Sequence, residues 1–387
     1  MKRSAQTFAR AQRGLELREL ALLFMRLGTT AFGGPAAHIA MMEDEVVRRR
    51  GWLSHESFLD MISACNLIPG PNSTEMAIHI GHRRAGFAGL AVAGACFIVP
   101  AALITAALAW AYVEFGARPQ MAGVLYGVKP VIIAVVVQAI WRLARSVLQT
   151  RFLIAVTVAA TAAAFAGVDE MVILFAAGAI TIAAARFRPG PAGAAAAGAL
   201  MTASKVAATA VTPFSLGALF LIFLKIGAVL FGSGYVLLAF LQADLVDRTH
   251  WLTQAQLLDA VAIGQITPGP VLSTATFVGY LLGGKAGAAL ATVGIFLPAF
   301  FFVSISGPIL PRIRRSPTAG AFLDGVNAGS FALMVAVTWQ LGRAAVVDAT
   351  TAVFMLVSAL LLLRLRVNSA WLVLLGGAAG ALASAWR

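Results

Sequence analysis

The sequence predicts an all-α polytopic membrane protein: two homologous halves set as inverted-topology repeats, with broken, re-entrant helices at Gly-rich and Pro-Gly-Pro motifs. Three observations predict it. Of 387 residues, 60% are hydrophobic and only 12% are charged, about half the charged share of a soluble domain. Nearly uncharged runs such as Ala85–Tyr112 and Met121–Ile140 have the roughly 20 apolar residues that a bilayer crossing takes. One phrase occurs twice inside apolar sequence, as Asn66-Leu67-Ile68-Pro69-Gly70-Pro71-Asn72-Ser73-Thr74-Glu75 and Gln265-Ile266-Thr267-Pro268-Gly269-Pro270-Val271-Leu272-Ser273-Thr274.

The composition narrows the function. The net charge of +13 comes from basic residues in short loops between apolar runs, where they orient a membrane protein, so no nucleic-acid partner is expected. Cys65 and Cys96 stand in apolar sequence without metal spacing, so neither a metal nor another cofactor is expected. Residues 1–20 lack the apolar core and cleavage site of a signal peptide and read as a cytoplasmic basic amphipathic segment. The expected location is the inner (cytoplasmic) membrane, crossed many times.

The halves align over most of their length. At an offset of 199 residues, Gly28 meets Gly227, Phe32-Gly33 meets Phe231-Gly232, Arg49 meets Arg248, Trp52-Leu53 meets Trp251-Leu252, and Pro69-Gly70-Pro71 meets Pro268-Gly269-Pro270. Beyond these the offset is 198, pairing Gly81 with Gly279, Gly89 with Gly287, Pro100 with Pro298 and Trp141 with Trp339. The predicted organisation is a first repeat over 21–188, a linker with an additional span (Val206–Leu224) over 189–222, and an inverted second repeat over 223–387.

Each repeat reads alike. A glycine-broken apolar segment comes first, around Gly33-Gly34-Pro35 and around Gly232-Ser233-Gly234. A polar loop follows, with Ser54 and Thr253 placed as helix N-caps and Gln256 completing a capping box. The Pro-Gly-Pro segment is next, and four plainer apolar runs close the repeat. The basic loops of the first half (Arg83-Arg84; Arg142, Arg145 and Arg151; Arg186 and Arg188) correspond to poor loops in the second, whose rich ones hold Arg312, Arg314 and Arg315, then Arg364 and Arg366. That alternation predicts inversion. The count is nine spans with four hairpins, or thirteen spans.

The breaks carry the chemistry. Pro69, Gly70 and Pro71, and likewise Pro268, Gly269 and Pro270, interrupt helical hydrogen bonding, and a broken backbone in lipid survives only where protein buries it or where it lines a wet cavity. Matching breaks in two halves point to a transport site. The helices that restart there aim free N–H groups of Asn72, Ser73 and Thr74, and of Val271, Leu272 and Ser273, at an anion, with the Ser73, Thr74, Ser273 and Thr274 hydroxyls alongside. The breaks at Gly33, Gly34, Gly232 and Gly234 could add backbone donors. Arg26 and Lys225, at matching positions, would supply two cations, so the parts suit a tetrahedral dianion.

The chain resembles the chromate transporter family in its long two-domain form. The resemblance rests on Phe32-Gly33-Gly34-Pro35-Ala36-Ala37-His38, Arg49-Arg50-Gly51-Trp52-Leu53, Pro69–Pro71, and Pro268-Gly269-Pro270 with Thr274-Ala275-Thr276-Phe277-Val278-Gly279-Tyr280. It implies secondary transport of chromate out of the cytoplasm, with chromate resistance as the outcome. Where many members carry Gln-Phe-Leu before the first Pro-Gly-Pro and Gln soon after it, this chain has Asn66-Leu67-Ile68 and Asn72-Ser73-Thr74-Glu75; sulfate or molybdate is therefore the alternative substrate.

Each candidate has a plainer reading. Arg26 is an anion ligand or a snorkelling residue. Glu75 and His79 share a helix face at i, i+4 and either carry a coupling proton or form a structural pair; the second half has Thr274 and Val278 there. His38 belongs to the family motif or packs a helix. Asn66 and Gln265 contact substrate or satisfy carbonyls freed by proline. Asp60 and Asp259 serve gating or helix charge. Lys129 is a pathway cation or a structural one. An intramembrane enzyme is disfavoured by the lack of HExxH, GxSxG and P-loop patterns. The expected partners are chromate or a related oxyanion, protons or a counter-anion, and the lipid bilayer; a homodimer is permitted but not required, because inverted repeats complete a site within one chain.

Overall fold

The computed structural model describes residues 2–116, 119–186, 213–232, 234–314, 316–365 and 367–385. Every regular element among them is helical. Helix α1 (Lys2–Thr30) runs unbroken through residue 20, so the surface segment and the first apolar segment are one helix. The chain breaks at Ala31–Gly33 and restarts as α2 (Gly34–Glu43), with left-handed Gly33 before it and Pro35 in its first turn. A π-helical turn (Asp44–Arg49) leads to α3 (His55–Cys65), capped by Ser54, whose Oγ accepts the Ser57 N–H at 3.1 Å. After the Pro-Gly-Pro come α4 (Asn72–Phe115), α5 (Pro119–Val147), α6 (Arg151–Phe165) and α7 (Glu170–Arg186).

The second half repeats this plan as α8 (Leu216–Val229), α9 (Leu237–Leu241), a π-helical turn (Gln242–Arg248), α10 (Gln254–Ile266), α11 (Thr274–Arg314), α12 (Pro317–Ala345), α13 (Ala349–Arg364) and α14 (Ser369–Ala385). Of the additional span expected at 206–224, residues 206–212 lie outside the described residues, as do Arg118, Arg188, Ser233, Arg315 and Arg366; residues 213–215 are not helical and residues 216–224 open α8. The capping box forms: Thr253 N–H donates to Gln256 Oε1 at 2.9 Å and Gln256 N–H to Thr253 Oγ1 at 3.2 Å. Among the described residues, four helices are long and apolar enough to cross a membrane: Asn72–Phe115, Met121–Val147, Val271–Ser306 and Pro317–Ala345.

The duplication extends to backbone angles. Helix α4 is broken at Ala85 (φ −138°, ψ 24°) and Gly86 (φ 64°, ψ −149°), and α11 at Gly283 (φ −139°, ψ 22°) and Gly284 (φ 59°, ψ −148°). A Cβ on Gly81 would fall on the Gly89 carbonyl oxygen, and one on Gly279 on that of Gly287, so each long helix folds back as a tight hairpin. The first arm, residues 72–84, is about 20 Å long at 1.5 Å per residue, short of the roughly 30 Å hydrocarbon core. The single-residue gap between repeats falls within this arm, between the pair Glu75 and Thr274 and the pair Gly81 and Gly279; the second arm is preceded by a 3₁₀ turn, Val271–Ser273.

The chain forms two compact units that cut across the halves. The first comprises Met1–Val113, Leu216–Leu230 and Ile263–Ile309; the second comprises Glu114–Ser215, Phe231–Ala262 and Leu310–Arg387. A core of Phe24, Phe97, Met42, Phe58 and Met76 packs within the first. In the second, α5 packs on α13 and α14, and its repeat mate α12 packs on α6 and α7. Close backbone approach holds these crossings: Gly127 abuts Gly376 and Gly380, while Gly325 abuts Ala177 and Thr181. Small residues at the contact serve helices that lipid does not drive together.

Candidate functional site

Both Pro-Gly-Pro tips lie in the first unit, each tied to the other repeat. The Gly70 N–H donates to Leu230 O at 2.8 Å and the Gly269 N–H to Ala31 O at 2.9 Å. Leu230 and Ala31 are themselves repeat mates, each following the first helix of its repeat. Gly70 and Gly269 take φ of 144° and 87°, which a side chain would strain. A Cβ on Gly269 would also press on Gly28 O and Ala101.

His38 joins this junction. It is buried, and its Nε2–H donates to Ala31 O at 3.1 Å, the carbonyl that also accepts from Gly269. A carbonyl only accepts, so Nε2 carries the hydrogen. The ring stands edge-on to Phe97, with centroids 5.7 Å apart.

Glu75 lies against the first tip. It is 0% exposed, neither carboxyl oxygen has a hydrogen-bond partner, and a Cβ on Gly70 would fall on its Oε1. His79, one turn on, is half-buried with no partner for Nε2. In the second repeat Thr274 fills the position, its hydroxyl donating to Val271 O at 2.8 Å. The Ser73, Thr74 and Ser273 side chains are buried. The expectation of three free N–H groups at each tip needs correction. Thr74 N–H donates to Pro71 O at 2.8 Å and Ser273 N–H to Pro270 O at 2.9 Å, because each helix closes its first turn on the proline carbonyl. Asn72 Nδ2 donates to Asn66 Oδ1 at 2.8 Å, so these amides meet each other across the break. Gln265 is buried.

Arg26 pairs with Glu45 at 2.5 Å, with side-chain exposures of 52% and 8%. Arg49 and Arg50 reach the same carboxylate at 3.3 and 3.2 Å, beside a groove of about 560 Å³ lined by Arg26, Thr30, Met41, Asp44 and Arg49. Glu45 follows the apolar segment, outside the membrane-spanning stretches. Burial would raise its carboxyl, but hydrogen bonds and charge from Arg26 and Arg50 outweigh that and hold it below its ordinary 4.5. Lys225 is half-buried in α8. Gly232 turns with φ 86° beside the Asn327 side chain, and Gly234 opens a short 3₁₀ turn; both belong to the second unit.

The second unit holds ion pairs that sequence reading gave little weight or missed. Lys129 Nζ stands 3.2 Å from buried Asp259, whereas Asp60, its repeat mate, is exposed. Arg248 reaches Asp169 at 2.5 Å, Asp244 at 2.8 Å and Glu170 at 3.5 Å. Glu45 and Asp244 are repeat mates, each an acid four residues before an arginine, a pattern legible in the sequence. Among the described residues, no group of three or more His, Cys, Asp or Glu is arranged to hold a metal.

A family model described as Chromate transporter matches residues 18–183 and again residues 217–381. The chain belongs to the chromate transporter family. Its relatives in that family include the chromate transport protein of Cupriavidus metallidurans, 33% identical over 368 residues, covering 94% of this chain and 92% of the relative. The chromate transport protein of Pseudomonas aeruginosa is 35% identical over 337 residues, covering 83% and 80%. A probable chromate transport protein of Synechococcus elongatus is 29% identical over 350 residues, 87% of each chain. No solved structure gives a significant match.

Proposed function

We propose that this chain is a secondary active transporter that exports chromate across the cytoplasmic membrane by alternating access, at a site between the Pro69-Gly70-Pro71 and Pro268-Gly269-Pro270 half-helix tips. The observation that carries this reading is the reciprocal junction: two helix starts, each broken by Pro-Gly-Pro, each held through its glycine N–H by the other repeat. Helix starts attract anions, and reciprocal exchange is what a two-fold relation between repeats produces. The relatives named as chromate transport proteins support chromate as cargo.

The halves are inverted in this account. The π-turn of the first repeat gathers Arg26, Arg49 and Arg50 around Glu45, and that of the second gathers Asp169, Glu170 and Asp244 around Arg248. The Lys/Arg content differs at the matching turns, with Arg48, Arg49 and Arg50 at the first and Arg248 at the second, and an uneven share of basic residues is what opposite sides of a bilayer favour. Tip segments too short to cross the bilayer enter and leave on one side. Arg26 and Lys225, with Asn66, Asn72, Ser73, Thr74, Gln265, Ser273, Thr274 and His38, contact the oxyanion during the cycle. Glu75 and His79 couple it to a proton gradient, making the protein an antiporter.

The test is chromate uptake by inside-out vesicles, with sulfate and molybdate as competitors. Saturable chromate uptake that excess sulfate leaves largely intact supports the reading. Sulfate or molybdate uptake without chromate uptake would keep the site and change the cargo.

A further inference from the structure

The turn between the arms of the first hairpin carries more than the turn requires. Gly283-Gly284 makes the same turn as Ala85-Gly86, with matching angles, but Leu281 and Leu282 stand where the first repeat has Arg83 and Arg84. The arginines are therefore not there to form the turn. They line a cavity of about 300 Å³ with Trp52, Leu53, Ser54, Ser57 and Ile80, within the size range of small-ligand sites.

Its chemistry is that of a phosphate site at a membrane surface. The Arg84 guanidinium stands 4.4 Å from the Trp52 ring centroid and Arg50 stands 5.0 Å from it. Arg84 pairs with Glu19 at 2.9 Å. Arg83 is exposed and has no ion-pair partner among the described residues. Ser54 and Ser57, at the N-terminal end of α3, line the same space, with Ser54 Oγ donating to Ser57 Oγ at 2.9 Å, and guanidinium groups bind phosphate through paired N–H donors. Three features put this cavity at the membrane–water boundary. Trp52 is of the residue type that collects there. Phe87, just past the turn, is 66% exposed. Arg13, in the basic stretch of α1, donates to Ala85 O at 3.5 Å.

We propose that Arg83, Arg84, Ser57 and Trp52 bind the phosphate headgroup of an anionic phospholipid, with its acyl chains running past Phe87. This goes beyond transport and needs only that the chain sits in a bilayer.

The test is titration of the full-length protein, in detergent, with phosphatidylglycerol and with phosphatidylcholine, followed by native mass spectrometry. The expected result is one tight phosphatidylglycerol with no matching phosphatidylcholine. Arg83→Gln/Arg84→Gln should weaken it roughly 30-fold and Arg83→Gln alone roughly 5-fold, at about one surface charge interaction per arginine. Arg364→Gln should leave it unchanged. Arg83→Gln keeps the test decisive if loss of the Glu19 pair disturbs folding. Equal binding of the two lipids, unchanged affinity in Arg83→Gln, or emptying of the site by millimolar inorganic phosphate would each overturn the proposal; the last would make it a site for a soluble anion.

Discussion

Gly70 donates its N–H to Leu230 O at 2.8 Å, and its repeat mate Gly269 donates to Ala31 O at 2.9 Å. Each tip is thus anchored by the opposite repeat. Gly70→Ala would place a methyl on the Glu75 carboxyl at a φ of 144°, a strain of roughly 1–3 kcal/mol. The expected outcome is a lower melting temperature in detergent together with loss of chromate transport. Gly269→Ala should do the same against Gly28 and Ala101. Unchanged stability in both variants would remove the anchored-tip geometry.

The second unit has its own matched pair. Gly127→Ala and Gly325→Ala each push a methyl into backbone of the other repeat's helix. Each should destabilise the protein by roughly 1–3 kcal/mol, as overpacking does. Gly320→Ala, with nothing within 4 Å of the added carbon, is the control and should be neutral. Thermal unfolding of the three variants checks this.

Arg26 tests the anion-ligand reading against a purely structural one. Its side chain is half-exposed, so Arg26→Gln should cost about 1 kcal/mol or less in stability. Loss of a charged hydrogen bond to substrate should instead raise KM for chromate roughly tenfold or more. Glu45→Gln frees the same guanidinium and should not raise KM. A normal KM in both Arg26→Gln and Lys225→Gln would end the paired-cation account.

Stability should also depend on pH through Glu45. Its carboxyl is held below the ordinary 4.5 of the unfolded chain by Arg26 and Arg50. That stabilisation is fully present above about pH 4.5 and is lost as pH falls through the lower folded value. Wild type should therefore lose stability below that point more steeply than Glu45→Gln, as melting curves from pH 7 to pH 3 would register.

Much of the fold was legible because the features that define it are spelled by residue type. Pro-Gly-Pro, the Thr253–Gln256 capping box and the Arg83-Arg84 turn each mark a break or a helix end. The repeat set by Gly28, Gly81 and Gly89 and their mates survives as backbone contact. The exchange between repeats was not legible, because a bond such as Gly70 N–H to Leu230 O involves backbone atoms that carry no sequence signature. The pairing of Lys129 with Asp259 was hidden for another reason. The repeat mate of Lys129 is Asn327, so symmetry argued against a role, and only distance in the fold joins the two charges.

The central claim is oxyanion transport at the tips, coupled through Glu75. The most direct measurement is chromate uptake by inside-out vesicles of wild type and Glu75→Gln, with and without an imposed pH gradient. The account predicts that wild-type accumulation collapses with the gradient. It also predicts that Glu75→Gln still exchanges chromate down its concentration gradient but no longer accumulates it. Gradient-driven accumulation by Glu75→Gln at the wild-type level would contradict it.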